Sequence, residues 1–344
     1  MRRTRGKRFS TDEFMRYLWI HLRSDLCSNL GIDGRTSFFH REHDALRGRN
    51  VRLYRELGDS TTMTNENCSP YEFKAIYQLA NLFKRYCFAD DLFTDQERKE
   101  NTNAKFIGLQ ARLATYYDRR MPLGVLNLLQ EARGLVREVL GKYSEEEHLV
   151  YCQFGVKATI GCPASQAYID EKLCRRPITG SKEHLQWFTN YCAGDKLLAS
   201  VIKLNKTGPT HTKCLLNVTV PKSYKIDRGI TPNTLVGTLY TSGLGKLIEL
   251  RLREIGLDIR KLQQAHGRYA ERFSRTRTHA TADLSNASNM YVSSLLNRLL
   301  PREWYNAVKR GVIRDVEVDG KTYRCESIMT MGIGFTFPLQ TLLF

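Results

Sequence analysis

Three times in the first hundred residues, a hydroxyl residue is followed three positions later by glutamate: Ser10 and Glu13, Ser69 and Glu72, Thr94 and Glu97. This is the capping-box pattern, in which the hydroxyl and the carboxylate each satisfy an amide left unpaired at a helix start. Each box precedes apolar residues at helical spacing. Phe14, Tyr17, Leu18, Leu22 and Leu26 share one face, and Phe73, Ile76, Tyr77, Ala80 and Phe83 share another. A third stripe, Leu126, Leu129, Val136, Val139 and Leu140, is stopped by Gly141. The spacing predicts helices with a buried face over most of the first 150 residues, and these stripes read as core.

The pattern then changes. Gly155, Gly161, Pro163, Pro177 and Gly180 divide the chain from about 150 to 215 into short pieces, and no long element is expected there. The run CLLNVTV at 214–220 reads as a buried strand, and Leu244, Leu247, Ile248, Leu252 and Ile255 mark a helix ending at Gly256. A further helix carries Met290, Leu295, Leu296 and Leu299 and closes at Pro301. Val316 to Val318, Asp319-Gly320 and Lys321 to Arg324 form a hairpin signal, because Asp-Gly supplies the positive φ that a tight hairpin turn needs. MGIGFTFPLQTLLF at the end reads as a mobile glycine loop running into an apolar helix.

The chain has 53 Lys and Arg against 36 Asp and Glu among 344 residues, a net charge of +17. That excess suits an acidic partner, of which nucleic acid is the commonest, although a merely basic surface would show it too. No stretch of about 18 apolar residues could span a bilayer, so no membrane partner is expected. Nine cysteines without a C-x-x-C pair read as free thiols in a reducing compartment.

Three segments carry chemistry. In VPKSYKIDR at 220–228, Lys222, Lys225 and Arg228 recur every third residue. Such a cluster can neutralise a triphosphate, and the planar fork of Arg228 can hold two phosphate oxygens; a solvated basic edge is the alternative. In ATADLSNAS at 280–288, Asp283 stands where a strand would run into a helix, a junction that fixes a carboxylate for Mg²⁺, although an Asp there can equally be a cap. Ser285, Ser288 and Asn289 would lie on the first turn of that helix, where a hydroxyl or amide could face a ribose. In Thr330 to Thr336, Gly332 and Gly334 would allow close backbone approach to a template or ribose and the flexibility of a moving loop; an ordinary glycine turn is the alternative.

The order and spacing of these strings, VPKxxKxDR, ATxDLSxAS and MGxGxTFxLxxLxF, resemble the replicase β-subunit family of single-stranded RNA bacteriophages, the levivirus RNA-dependent RNA polymerases. The resemblance is collinear from about residue 71 to 344. YEFKAIYQLANLFKRY, ENTNAKF at 100–106 and YCQFG at 151–155 also look like segments of this family.

The resemblance implies an α+β right-hand polymerase: a mostly helical amino-terminal and fingers region, then part of the palm. The implied division is a helical basic region at 1–70, a fingers-associated helical region at 71–215, fingers with the triphosphate motif at 216–270 and a partial palm at 271–344. By position, Lys222, Lys225 and Arg228 match the triphosphate motif, and Asp283 matches the first metal-binding and catalytic aspartate. Ser288 and Asn289 match the ribose-facing turn, and Thr330, Gly332, Gly334 and Thr336 match the template- and ribose-sensing loop. Two Mg²⁺ ions, an RNA template, ribonucleoside triphosphates and host translation factors are implied partners, and the cytoplasm of the infected bacterium is the implied location.

Two departures stand out. Asn289 occupies the position where the family commonly has an acidic residue. No Gly-Asp-Asp triplet occurs in the chain, so the remaining metal carboxylates, the hairpin that bears them and the thumb are expected to be absent. Polymerisation by this chain alone is therefore not expected. Half of a divided polymerase, or a non-catalytic RNA-binding protein on a polymerase-like fold, are the other readings.

Other patterns weigh less. His40 and His43 have helical spacing but no supporting ligands, and Ala89-Asp90-Asp91 reads as a surface loop. Gly243 and Gly245 lack the spacing of a phosphate loop and read as a helix entrance. Arg272, Arg275, Arg277 and His279 form a basic loop ahead of Asp283, a candidate contact for RNA phosphates.

Overall fold

The computed structural model describes residues 94–344, apart from 117–120, 224, 225, 277, 280–283 and 285, together with the isolated positions 21, 24 and 28. The first two capping boxes, their apolar stripes, His40, His43 and Ala89 to Asp91 lie outside the described residues.

Two compact units divide the chain: residues 1–104 with 219–228, and residues 105–218 with 229–344. The elements in chain order begin with helices α1 (Asp95–Tyr116), α2 (Leu123–Leu140) and α3 (Glu145–Val150). A 3-10 turn (Ala164–Gln166) and a π-helical turn (Glu171–Arg175) lead to β1 (Ile178–Gly180), α4 (Lys182–Ala193) and α5 (Lys196–Lys203). Then come β2 (Pro209–His211), β3 (Leu215–Leu216), β4 (Val218–Pro221) and β5 (Asp227–Ile230). Helices α6 (Leu235–Glu254) and α7 (Ile259–Thr276), a 3-10 turn (Ala287–Met290), α8 (Ser293–Leu299) and α9 (Arg302–Arg310) follow. The chain closes with β6 (Asp315–Val318), β7 (Lys321–Arg324) and α10 (Thr336–Leu343). This is a mixed α+β fold, helical for the most part, with three small sheets.

The third capping box forms as expected. Thr94 N donates to Glu97 Oε2 at 2.7 Å, and Glu97 N donates to Thr94 Oγ1 at 3.1 Å. The third stripe turns inward as expected: Val136 and Leu140 are buried, and Leu126, Leu129 and Val139 are partly buried, while Leu123, Leu128 and Leu135, off the stripe, are 73%, 63% and 65% exposed.

In the second unit the core is built around α6. Thr234 caps it by accepting from Gly237 N at 3.0 Å, and Gly256 at φ 86° ends it. Leu239, Tyr240, Leu244, Leu247, Ile248 and Leu252 are all fully buried, each fully buried leucine contributing about 1.5–3 kcal/mol. Residues from Val136 to Leu343 join this one cluster. Gly243 and Gly245 lie inside α6, not at its entrance. A Cβ on Gly243 would sit 2.6 Å from Cys152 Sγ, so the glycine lets the chain after α3 pack directly on the helix.

Several polar groups inside this core are paired, although neither ring nitrogen of buried His184 has a hydrogen-bond partner among the described residues. His148 Nε2 donates to the Tyr240 carbonyl at 2.8 Å, which leaves Nδ1 to accept from the Tyr143 hydroxyl at 2.9 Å. Trp304 Nε1 donates to the Gly141 carbonyl at 2.9 Å. Burial holds the His148 pKa below the usual imidazole range.

The segment from 150 to 215 departs from expectation. It holds α4 of 12 residues, capped by Ser181 and burying His184, Trp187, Phe188 and Cys192. Glycine and proline punctuate its borders, but tertiary burial of the α4 face decides its state. The predicted strand at 214–220 is real but divided at Asn217: β3 runs parallel to β6, while β4 pairs with β5. The hairpin β6–β7 forms in the predicted register, Val318 opposite Lys321, with Asp319 at φ 49° and Gly320 at φ 77°. The six described cysteines are free thiols, and among the described residues no helix is long and apolar enough to cross a membrane.

Candidate nucleotide and RNA site

In the first unit, β4 and β5 pair, and the intervening loop is closed by Ser223, whose amide donates to the Ile226 carbonyl at 3.0 Å. Lys222 and Arg228 are exposed on this hairpin, and neither has an ion-pair partner among the described residues. Arg228 follows a residue that is firmly held. Asp227 N donates to Thr102 Oγ1 at 3.0 Å, and the Thr102 hydroxyl donates to the Arg98 carbonyl at 2.8 Å. Arg98 Nε lies 3.5 Å from Asp227 Oδ1, with both side chains less than a tenth exposed. One polar face of α1, Arg98 and Thr102 a turn apart, therefore grips the strand that presents Arg228. Lys225 lies outside the described residues.

In the second unit, two segments run side by side. Val292 and Ser327 form an antiparallel bridge, and Ile328 N donates to the Tyr291 carbonyl at 2.8 Å. The Ser327 hydroxyl donates to the Asn289 carbonyl. Gln110 of α1 clamps the pair from one side: its Nε2 donates to Ser327 Oγ at 3.1 Å, and its Oε1 accepts from Glu326 N at 2.8 Å and Ser327 N at 3.1 Å. Ser288 and Asn289 lie in the 3-10 turn that precedes α8, not on that helix, because Asn286 at φ 56° breaks the backbone before it. Ser288 is buried, and the buried Asn289 Oδ1 accepts no hydrogen bond from the described residues.

The glycine loop is braced. Thr231 Oγ1 donates to Thr330 Oγ1 at 2.7 Å, and Thr231 N donates to the Met331 carbonyl at 2.9 Å. Thr336 Oγ1 donates to the Thr330 carbonyl at 3.0 Å, and Gly334 N donates to Thr241 Oγ1 at 3.3 Å. A Cβ on Gly332, at φ 118°, would sit 2.5 Å from the Thr231 carbonyl oxygen; one on Gly334 would meet the Thr241 and Ser242 backbone at 2.7 Å. Gly245 of α6 faces the Gly334 carbonyl at 2.6 Å in the same sense. The expected mobile loop is thus a packed one, its glycines admitting backbone against backbone.

The family described as RNA replicase, beta-chain, matches residues 44–344 of this sequence. The chain belongs to this family. It is similar to the RNA-directed RNA polymerase beta chain of Escherichia phage MS2, 37% identical over 126 residues, which cover 37% of this chain and 23% of the phage protein. The beta chain of Enterobacteria phage GA is 28% identical over 276 residues, 74% of this chain and 49% of that one. The RNA-directed RNA polymerase subunit beta of Escherichia virus Qbeta is 35% identical over 133 residues, 37% and 22% respectively. The chain spans at most about half the length of these relatives.

Within this replicase-family chain, Asp283, Ser285 and Arg277 fall outside the described residues. Arg272 and Arg275 lie on the last turns of α7, not in a loop, and both are exposed; Arg275 pairs with Glu271 at 2.7 Å. Among the described residues no group of three His, Cys, Asp or Glu side chains could hold a metal ion. The described residues do not supply the donor set that Mg²⁺ requires.

Arg98, Thr102, Gln110 and Thr231 are the positioning residues that the sequence reading passed over. Thr102 lies within ENTNAKF, and Gln110 sits eight residues on; their spacing on α1 was visible, but a polar residue on a helix reads as solvated until its long-range partner is known.

Proposed function

We propose that this chain is part of a phage RNA-directed RNA polymerase, a replicase subunit that copies a positive-strand RNA genome from ribonucleoside triphosphates in the cytoplasm of the infected bacterium. The observation that carries the reading is the side-by-side run of the segments after Asp283 and before Gly332, stitched by Ser327 and Gln110. The segments that adjoin the two motifs, Asn289 to Val292 and Ser327 to Ile328, lie side by side, which supports placing the motifs at one site.

In this reading Lys222, Lys225 and Arg228 neutralise the incoming triphosphate, and charge assembled in advance on a held strand stabilises the departing pyrophosphate. The unsatisfied Asn289 Oδ1 is suited to accept from a ribose hydroxyl, a role its amide can fill where relatives use a carboxylate. Gly332 and Gly334, which are exposed, meet ribose and template in this reading, with Thr336 and the buried Ser288 and Thr330 holding the same segments in place, and Arg272, Arg275 and Arg277 contact RNA phosphates. Two Mg²⁺ ions would supply activation of the 3′-hydroxyl and neutralisation of the leaving group, with Asp283 the residue of this chain that holds them. A right-hand organisation of fingers and palm and recruitment of host translation factors belong to the same proposal.

A single assigned carboxylate leaves two Mg²⁺ short of anionic ligands, so these 344 residues alone are expected not to polymerise RNA. The test is cross-linking of a ribonucleoside triphosphate with Mg²⁺, together with template-directed incorporation. Cross-linking that falls at least about tenfold in Arg228→Ala, the loss of an interaction worth about 1.4 kcal/mol or more, is expected. RNA binding without any triphosphate cross-link would favour a non-catalytic RNA-binding protein. Robust incorporation dependent on Asp283 would overturn the expectation of inactivity.

A further inference from the structure

Helices α2 and α8 pack against each other and leave an open cleft of about 580 Å³. Its walls carry three arginines: Arg133 and Arg137, one helical turn apart on α2, and Arg298 on α8. All three are exposed, and none is ion-paired among the described residues. No carboxylate lines the cleft among those residues, although the rest of the second unit is laced with pairs such as Arg251 with Glu147 and Arg314 with Glu326. Leu126 and Leu129 form an apolar floor. Gly134 sits between the two α2 arginines, and a Cβ there would meet nothing within 4 Å, so the cleft is open at its middle.

Three uncompensated guanidinium groups above an apolar floor constitute a surface for a polyanion that also carries flat apolar groups. The guanidinium fork donates to phosphate oxygens in pairs, and its plane stacks on bases. Leucine side chains give base faces a surface out of water. An acidic peptide would satisfy the charge but leave the floor unused.

We propose that the cleft between α2 and α8 binds the phosphodiester backbone of single-stranded RNA, as a site separate from the Lys222 and Arg228 hairpin. Only the choice of RNA as the polyanion rests on the replicase reading; the cleft and its charge stand on the geometry.

The experiment measures binding of the full chain to a short, unstructured, labelled oligoribonucleotide across a salt series. It compares wild type, the triple variant Arg133→Gln, Arg137→Gln, Arg298→Gln, the variant Gly134→Leu, and the variant Lys222→Gln, Arg228→Gln. Loss of three phosphate contacts lowers the slope of log affinity against log salt by about 2. Gly134→Leu keeps every charge and fills the middle of the cleft, so it weakens binding several-fold with the slope changed little. Because the substituted arginines and Lys222 are exposed and without ion-pair partners among the described residues, and a Cβ on Gly134 meets nothing within 4 Å, the variants stay folded, which an unchanged melting temperature checks. An unchanged slope and affinity in the triple variant, with RNA binding lost in the Lys222 and Arg228 variant, overturns the cleft and leaves the replicase reading intact. Equal weakening by the triple variant but none by Gly134→Leu overturns a shaped site. Binding of polyglutamate in preference to RNA overturns the choice of ligand, and no RNA binding by wild type overturns both readings.

Discussion

The hydroxyl of Thr231 donates to the hydroxyl of Thr330 across 2.7 Å, with both residues buried, and joins the chain just after β5 to the start of the glycine loop. Thr231 stands three residues beyond Arg228 in sequence, and Thr330 two before Gly332. Two stretches of the second unit about a hundred residues apart are thus joined by a buried bond.

Thr231→Val is expected to cost about 1–2 kcal/mol, because it leaves the buried Thr330 hydroxyl without its donor; Thr330→Val should cost less, since the Thr231 hydroxyl keeps the Met331 carbonyl at 3.3 Å. The double variant should cost less than the sum of the two, since no orphaned group remains. Denaturant titration of the four proteins gives the coupling energy; strict additivity would show that the bond has no energetic role.

Gly245→Ala and Gly334→Ala test whether the loop is packed or mobile. In an open helix position alanine stabilises by about 0.5–1 kcal/mol over glycine. At Gly245 the added methyl would meet the Gly334 carbonyl at 2.6 Å, so destabilisation of about 1–3 kcal/mol is expected instead. A melting temperature unchanged or raised in both variants would restore the mobile-loop reading.

Thr102→Val should weaken triphosphate binding through Arg228 without removing any charge. The substitution leaves the Asp227 amide without its acceptor, at a cost of about 1–2 kcal/mol, and loosens the strand that carries Arg228. A dissociation constant for nucleoside triphosphate raised several-fold, with Arg228 still in place, is the expected readout; an unchanged constant would make Thr102 purely structural.

His184 gives the fold an acid sensitivity. Burial first, and the charge of Arg310 after it, hold its pKa down at about 4 against an ordinary 6.5. The unfolded chain therefore takes up a proton at a pH where the folded chain refuses it. Stability is complete above about pH 6.5 and falls as pH drops toward 4, by about 3 kcal/mol for a shift of this size. Buried His148, also shifted down, acts in the same direction. Urea unfolding between pH 4 and 7.5 should show this slope and a shallower one in His184→Gln; identical slopes would sink the assignment.

Much of the fold was legible locally. The box at Thr94 and Glu97, the stop at Gly141, the end of α6 at Gly256 and the Asp319-Gly320 hairpin each depend on residues within a few positions of one another, and each formed as expected. The 150–215 segment was not legible, because α4 is held by burial of Trp187 and Phe188 in a core assembled from distant residues.

The same division runs through the site. Residue types and spacing alone singled out Lys222, Arg228, Asn289 and the glycines at 332 and 334, since cations, amides and glycines have chemistry that is visible one residue at a time. Only the tertiary structure decided that Gly332 and Gly334 serve close packing, that Asp227 is gripped by Arg98 and Thr102, and that Arg133, Arg137 and Arg298 share a cleft. A packing contact or an uncompensated charge is a relation between residues far apart in the chain, and it exists only once the fold has brought them together.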